Sequence, residues 1–215
     1  MFTGIVEEVG IIKAMKKTSH QAIQLDIAAE VVIEDVHIGD SIAVNGVCLT
    51  VTTYNEKIFT VDVMPETIKA TSLNALKVQS PVNLERAMAA NGRFGGHFVS
   101  GHVDGTGMIT KKEAVANAIY YDIHYPSDLR SYFIKKGSVA IDGISLTIFD
   151  VKKDSIQLSL IPHTANETTL GDKGTGEVVN IECDMLLKHV HHLLQSDTTI
   201  KTPRMDKQFF MENGF

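Results

Sequence analysis

The sequence predicts an all-β protein built as a tandem duplication: two barrels of six strands each, followed by one α-helix. Three observations carry that prediction. The second half repeats the first at a constant offset of 97 residues. Each half carries short alternating runs rich in β-branched and aromatic residues, the pattern of half-buried strands. One amphipathic run at helical spacing then follows the second repeat, with no counterpart in the first.

The repeat holds register from end to end. Thr3-Gly4 matches Ser100-Gly101, and Gly10 matches Gly107. Gly46-Val-Cys-Leu-Thr50 matches Gly143-Ile-Ser-Leu-Thr147, and Met64-Pro-Glu-Thr67 matches Ile161-Pro-His-Thr164. Thr71-Ser-Leu73 matches Thr168-Thr-Leu170, and Val82-Asn-Leu-Glu85 matches Val179-Asn-Ile-Glu182. The period is far longer than that of solenoid repeats, so two domains of one fold are predicted. Residues 1–97 and 98–183 form the two barrels, 184–196 the helix, and 197–215 a polar tail.

Within the first half, Ile23, Leu25 and Ile27 alternate with polar or small residues, and Ile58–Val63 is another strand-like run. Asn45-Gly46 and Asp142-Gly143 each lie between two apolar runs. That pairing favours a two-residue type I′ hairpin. Closing each sheet into a barrel removes exposed edges. Short helical turns are expected at Glu30–Val36 and Ser127–Lys135. The terminal helix opens at Asp184, a good N-cap, and carries Leu186, Leu187, Val190, Leu193 and Leu194 on one side. Its apolar face needs a cover, either its own barrel or the same helix of other subunits.

Composition narrows the function classes. The chain is 44% hydrophobic and 21% charged, with a formal net charge of -6. That charge argues against nucleic acid, whose phosphates call for clustered Lys and Arg. No secretory leader is expected, because Glu7 and Glu8 interrupt any apolar start, and no run is long enough to span a membrane. Two cysteines, Cys48 and Cys183, exclude a disulfide framework, and a reducing cytoplasm is the expected setting. No metal site is expected: His189, His191 and His192 lack ligand spacing, and neither CxxC nor HExxH occurs.

A duplicated fold offers two similar pockets, suited to a reaction between two copies of one substrate. Met1-Phe-Thr-Gly-Ile-Val6, Asn45–Thr50, Gly95-Gly-His-Phe-Val-Ser-Gly-His102, Asp142–Thr147 and Ile161–Thr164, in this order, resemble the riboflavin synthase family over residues 1–187. The resemblance implies Greek-key barrels and a homotrimer whose sites form between the first barrel of one chain and the second of another. It implies an association with lumazine synthase and a cofactor-free dismutation. Two molecules of 6,7-dimethyl-8-ribityllumazine would give riboflavin and 5-amino-6-ribitylaminouracil.

His102 is the first candidate for acid–base work, since imidazole titrates near neutrality. It matches Ile5 in the first half, an asymmetry that fits a donor and an acceptor; its alternative is a structural histidine. His97 reads as structural or supporting. Cys48 and Ser145 occupy matched positions after the hairpins, each a nucleophile or a hydrogen-bonding group toward C7 of the lumazine. The alternatives are a small buried apolar residue for Cys48 and a turn serine for Ser145. Thr147 joins His102, Ser145 and Cys48 in the catalytic set, and Thr50 is its first-half match.

By resemblance, Gly4, Ile5 and Val6 line the first pocket with Cys48, Leu49, Thr50 and the run Asp62, Val63, Met64, Pro65, Glu66 and Thr67. The second pocket takes Gly101, His102, Val103, Ser145, Leu146, Thr147, Ser159, Leu160, Ile161, Pro162, His163 and Thr164. Lys136 reaches a neighbouring subunit's ligand or is a solvated lysine. Phe2 closes the site or packs the N-terminal strand. Asp184 matches an acidic position near the site, although helix capping explains it equally. His163, opposite Glu66 in the repeat, departs from the acidic residue common in the family. The competing reading is a lumazine- or flavin-binding antenna protein without turnover.

Overall fold

The computed structural model describes residues 1–18, 22–197 and 211. The first barrel comprises β1 (Glu8–Lys17), β2 (Ile23–Ala28), β3 (Ser41–Val44), β4 (Val47–Tyr54), β5 (Ile58–Val63) and β6 (Pro81–Arg86). It closes in the order β1-β2-β5-β4-β3-β6. The second comprises β7 (Gly105–Val115), β8 (Ala118–His124), β9 (Ser138–Ile141), β10 (Ile144–Val151), β11 (Ser155–Leu160) and β12 (Val178–Cys183), and closes in the matched order. Every neighbouring pair of strands is antiparallel. The bulges recur at matched points, after Ile12 and Ile109 and after Val51 and Ile148. Each barrel therefore bends at the same places.

Both hairpins form as the dipeptides predict. Asn45 and Gly46 have φ of 46° and 77°, and Asp142 and Gly143 have 45° and 81°. Paired positive φ values are those of a type I′ turn. Alternation along the strands fills each barrel with one side-chain set. Leu25, Ile27, Val61 and Leu84 are fully buried in the first, as are Ile123, Ile148, Leu158 and Ile181 in the second.

Local helix is where expectation and structure part. Residues 32–35 form a single hydrogen-bonded turn, with the Glu34 N–H donating to the Val31 carbonyl at 3.2 Å, and the second-half equivalent is a 3-10 helix, Ser127–Tyr132. The Glu8 carboxylate takes the N–H groups of Glu30, Val31 and Val32, at 2.8, 2.7 and 2.7 Å. That carboxylate gives the backbone donors of Val31-Val32 a partner without helix formation. Two short helices instead follow the fifth strand of each barrel, α1 (Pro65–Ala70) and α2 (Pro162–Asn166). Proline at the first helical position fits both, since its missing N–H would be unpaired there anyway. The terminal helix α3 (Met185–Asp197) is present, with the Leu186 N–H donating to Asp184 Oδ1 at 2.9 Å. The expected polar tail lies outside the described residues, Asp197 and Met211 apart.

A pseudo-twofold seam joins the barrels. The Asn83 amide donates to the Asp142 carbonyl and the Asn180 amide to the Asn45 carbonyl, at 2.9 and 2.8 Å. Asn83 Oδ1 accepts from Thr169 N–H at 2.8 Å, and Asn180 Oδ1 from Ser72 N–H at 2.7 Å. These buried amides satisfy backbone groups that neither barrel could satisfy alone.

Candidate active site: two matched strand-end platforms

The segments that precede the barrels cross between them. Phe2 and Val99 form a reciprocal backbone bridge, with N–H···O distances of 2.7 and 3.2 Å. The Gly4 carbonyl accepts the Ser145 N–H at 2.7 Å, and the Gly101 carbonyl accepts the Cys48 N–H at 2.8 Å. Gly4 and Gly101 have φ of 77° and 81°. A Cβ on either would lie 2.7 Å from Ser145 Cβ or 2.5 Å from Cys48 Cβ. Glycine is therefore required by conformation and by space. Val6 packs on the second core and Val103 on the first. The expected within-half grouping is thus exchanged: Gly4-Ile5-Val6 sits beside Ser145, and Gly101-His102-Val103 beside Cys48. The crossing brings each opening segment against the other barrel's fourth strand, a contact that no local pattern encodes.

A buried glutamate clamps each crossing. Glu85 accepts from the Thr3 N–H at 2.7 Å, the Thr3 hydroxyl at 3.0 Å and the Gly4 N–H at 3.0 Å. Glu182 accepts from the Ser100 N–H at 2.7 Å, the Ser100 hydroxyl at 2.6 Å and the Gly101 N–H at 3.0 Å. Burial pushes the Glu85 carboxyl above its ordinary value, against the pull of the Thr3 and Gly4 donors. The repeat marks both glutamates as matched positions but gives them no role. The available signal was a polar pair, Asn-x-Glu, recurring within a buried strand of each half.

Strand alternation decides which side chains are available outside the barrels. Cys48 is half-buried and Thr50 exposed on β4; Ser145 is half-buried and Thr147 exposed on β10. Leu49, Val63, Leu146 and Leu160 face the cores, so they present only backbone to a ligand. Asp62, Met64, Glu66, Ile161, Pro162 and His163 are exposed, and Pro65, Thr67, Ser159 and Thr164 half-buried, at the neighbouring strand ends and short helices. Ile5, His102 and Lys136 are exposed. Phe2 is fully buried with Ala43, Val99 and Ala140, and Cys48 packs against this cluster, so Phe2 packs the crossing.

The platforms differ at one buried group. His97 Nδ1 lies 2.7 Å from Ser145 Oγ, while the opposite ring nitrogen is buried without a partner among the described residues. Burial lowers the His97 pKa below 6.5, with Asp184 opposing, so the ring is neutral at pH 7. The backbone N–H of His97 donates to the Thr3 carbonyl, which seats the ring beside Gly4. The matched register begins at Thr3 and Ser100, so His97 falls in the connection between the repeats. His97 lies within hydrogen-bond distance of Ser145, the supporting position expected of it, and its place outside the repeat left its partner unmarked in the sequence.

The lumazine binding domain family matches residues 3–87 and 100–184. The chain is 56% identical to riboflavin synthase of Bacillus subtilis over the whole of both chains, and 51% identical to that of Actinobacillus pleuropneumoniae, also end to end. The Schizosaccharomyces pombe riboflavin synthase is 39% identical across 91% of this chain and 95% of its own. Among solved structures, LumP in complex with 6,7-dimethyl-8-(1'-D-ribityl) lumazine superposes with a TM-score of 0.76 at 26% identity, over 85% of this chain and 98% of that one. LumP in complex with riboflavin gives 0.78 at 27% identity, over 85% and 99%. With the duplicated barrels, the matched platforms and full-length identity in agreement, the chain belongs to the riboflavin synthase family.

Proposed function

We propose that the protein is a riboflavin synthase in which each strand-end platform holds one molecule of 6,7-dimethyl-8-ribityllumazine. The end-to-end identity to riboflavin synthases carries this reading. One lumazine lies against Cys48, Thr50 and the crossing Gly101-His102-Val103. The other lies against Ser145, Thr147 and the crossing Gly4-Ile5-Val6. Asp62–Thr67 and Ser159–Thr164 border the two, with threonine hydroxyls toward the ribityl chains. Holding two rings in a reactive orientation supplies about 7–11 kcal/mol in favourable cases.

The chemistry needs a base for the acidic C7 methyl of one lumazine and an addition at C7 of the other. His102, exposed beside the first platform, supplies the base. With His97 protonated at Nε2, its Nδ1 accepts the Ser145 proton as Ser145 Oγ bonds to C7. Returning that proton releases Ser145 after the four-carbon unit has moved. Cys48 and Thr147 tune and position; neither requires a cofactor.

The active assembly is a homotrimer in the cytoplasm, associating with lumazine synthase. The apolar face of α3 supports the oligomer: Leu186, Val190, Leu193 and Leu194 are all more than half exposed in the single chain. Sedimentation reads the trimer, and co-purification reads the lumazine synthase contact. Among the described residues no helix is long and apolar enough to cross a membrane.

The test is incubation of the protein with the lumazine alone, followed by absorbance. One riboflavin for every two lumazines consumed is the expected result. Tight binding with an unchanged spectrum would assign an antenna protein instead.

A further inference from the structure

Each clamp glutamate belongs to one barrel and holds a segment that serves the other. Glu85 lies on β6 of the first barrel, in register with Ala43, and Ala43 is in register with Cys48. Glu182 lies on β12 of the second, in register with Ala140, and Ala140 with Ser145. Through the sheet, each glutamate is therefore two strands from the platform residue of its own barrel. Its hydrogen bonds lead elsewhere. Glu85 takes the N–H groups of Thr3 and Gly4, and the Gly4 carbonyl receives the Ser145 N–H of the second barrel. Glu182 takes the N–H groups of Ser100 and Gly101, and the Gly101 carbonyl receives the Cys48 N–H of the first.

The chemistry of the clamp suits it to hold position. Each carboxylate offers one oxygen to the residue before the glycine and the other to the glycine N–H. A carboxylate only accepts, so it serves both donors at once. A carboxamide of the same shape has one accepting oxygen and turns an NH2 group toward the second donor. Glu85 and Glu182 are 6% and 3% exposed, too enclosed for water to replace a lost partner. In the second clamp the chain of bonds runs one step further. Ser100 Oγ donates to Glu182 Oε1 at 2.6 Å and accepts the His102 N–H at 3.1 Å. Glu182 thus holds the backbone of both Cys48 and His102 in place.

We propose that Glu85 is a positioning residue for the Ser145 platform and Glu182 for the Cys48 platform, each acting on the barrel to which it does not belong. Only the effect on turnover depends on the platforms being lumazine sites.

Amide hydrogen exchange of the full-length protein tests this in Glu85→Gln and Glu182→Gln. Glu85→Gln is expected to speed exchange of the Ser145 N–H about tenfold, the scale of one hydrogen bond to a charged group, and to leave the Cys48 N–H within about twofold. Glu182→Gln should do the reverse. It should also speed alkylation of the half-buried Cys48 by iodoacetamide, with buried Cys183 as the internal control. In turnover of the lumazine, Glu85→Gln should lower kcat about tenfold while Cys48 is alkylated at the wild-type rate. Thr3→Val and Ser100→Ala each remove one hydroxyl from a clamp and keep its carboxylate. They should give the same crossed pattern at smaller size, and they carry the comparison if a glutamine variant fails to fold. A glutamate that only holds its own barrel together predicts the opposite assignment, with Cys48 loosened by Glu85→Gln and Ser145 by Glu182→Gln. That result, or equal exchange at the two amides in either variant, would overturn the proposal. Crossed exchange in a chain that makes no riboflavin would uphold the positioning and remove the synthase reading instead.

Discussion

The two barrels share strand order, bulges, hairpin turns and a glutamate clamp, and three of the matched positions at which they differ bear on the platforms and the seam. Asn45, Cys48 and Ile5 in the first unit become Asp142, Ser145 and His102 in the second. The framework is kept where backbone groups must be satisfied. Asn45 Oδ1 accepts the Asn83 N–H, and Asp142 Oδ1 accepts the Asn180 N–H, both at 2.8 Å. Asp142, however, is completely buried and carries a charge, which Lys173 offsets where the first barrel has Leu76. The buried carboxylate of Asp142 thus comes with a second change in the same barrel, lysine at the position that matches Leu76.

That pair is where the barrels can be made most unequal. Lys173→Leu copies the first barrel on one side only and strands Asp142, at an expected cost of about 3–5 kcal/mol in urea unfolding. Asp142→Asn with Lys173→Leu copies it on both sides and should restore most of the loss. The pH dependence of the single variant has a definite sign. Burial already raises the Asp142 pKa, and losing Lys173 raises it further. A folded-state pKa above the unfolded value means stability is lost as pH rises through it, so the cost is smallest in acid. If the double variant is as unstable as the single one, the Asn45–Leu76 pair is no guide to this site.

Next in size is the catalytic difference. Ser145→Ala should lower kcat by about 100- to 1000-fold, the range for losing one group that acts on the developing charge. His97→Gln keeps a hydrogen-bonding group beside Ser145 but no base, and should cost about 10- to 100-fold. Its signature is in pH. The His97 pKa lies below 6.5 in the folded chain, so the wild-type activity plateau should extend below pH 6.5, with an acid limb that the variant lacks. Stability follows the same group. Below pH 6.5 the unfolded state binds the proton more readily, so stability is present above that value and falls as pH drops. Equilibrium unfolding between pH 5 and 8, the window about the His pKa, should show this slope in the wild type and a shallower one in His97→Gln.

The fold was legible in the sequence because its signals are local and repeated. Asn-Gly and Asp-Gly specify their turns by conformation alone, and a matched register exposes the second barrel once the first is seen. The α1 and α2 helices were missed, although Pro65 and Pro162 sit at the first helical position, because both are only one to two turns long. The site was half legible. Cys48 and Ser145 are matched by the repeat, but their partners come from the other barrel's opening segment. No short-range pattern tells Gly4 to meet Ser145, which lies in the other half of the chain. His97 lies in the connection between repeats, where periodicity has nothing to compare.

The mildest change tests the same contrast from the first barrel. Cys48→Ser gives the first platform the hydroxyl of the second, but no histidine beside it. Cys48 packs against Phe2 and Val99 while its N–H is held by Gly101, so serine keeps the backbone contact and loses little packing. If Ser145 owes its reactivity to His97, a lone hydroxyl on the first platform adds none, and kcat should change by less than about tenfold. A loss as large as that of Ser145→Ala would mean that the first platform carries the nucleophile. The asymmetry would then rest on thiol against hydroxyl, with His97 reduced to holding the crossing segment in place.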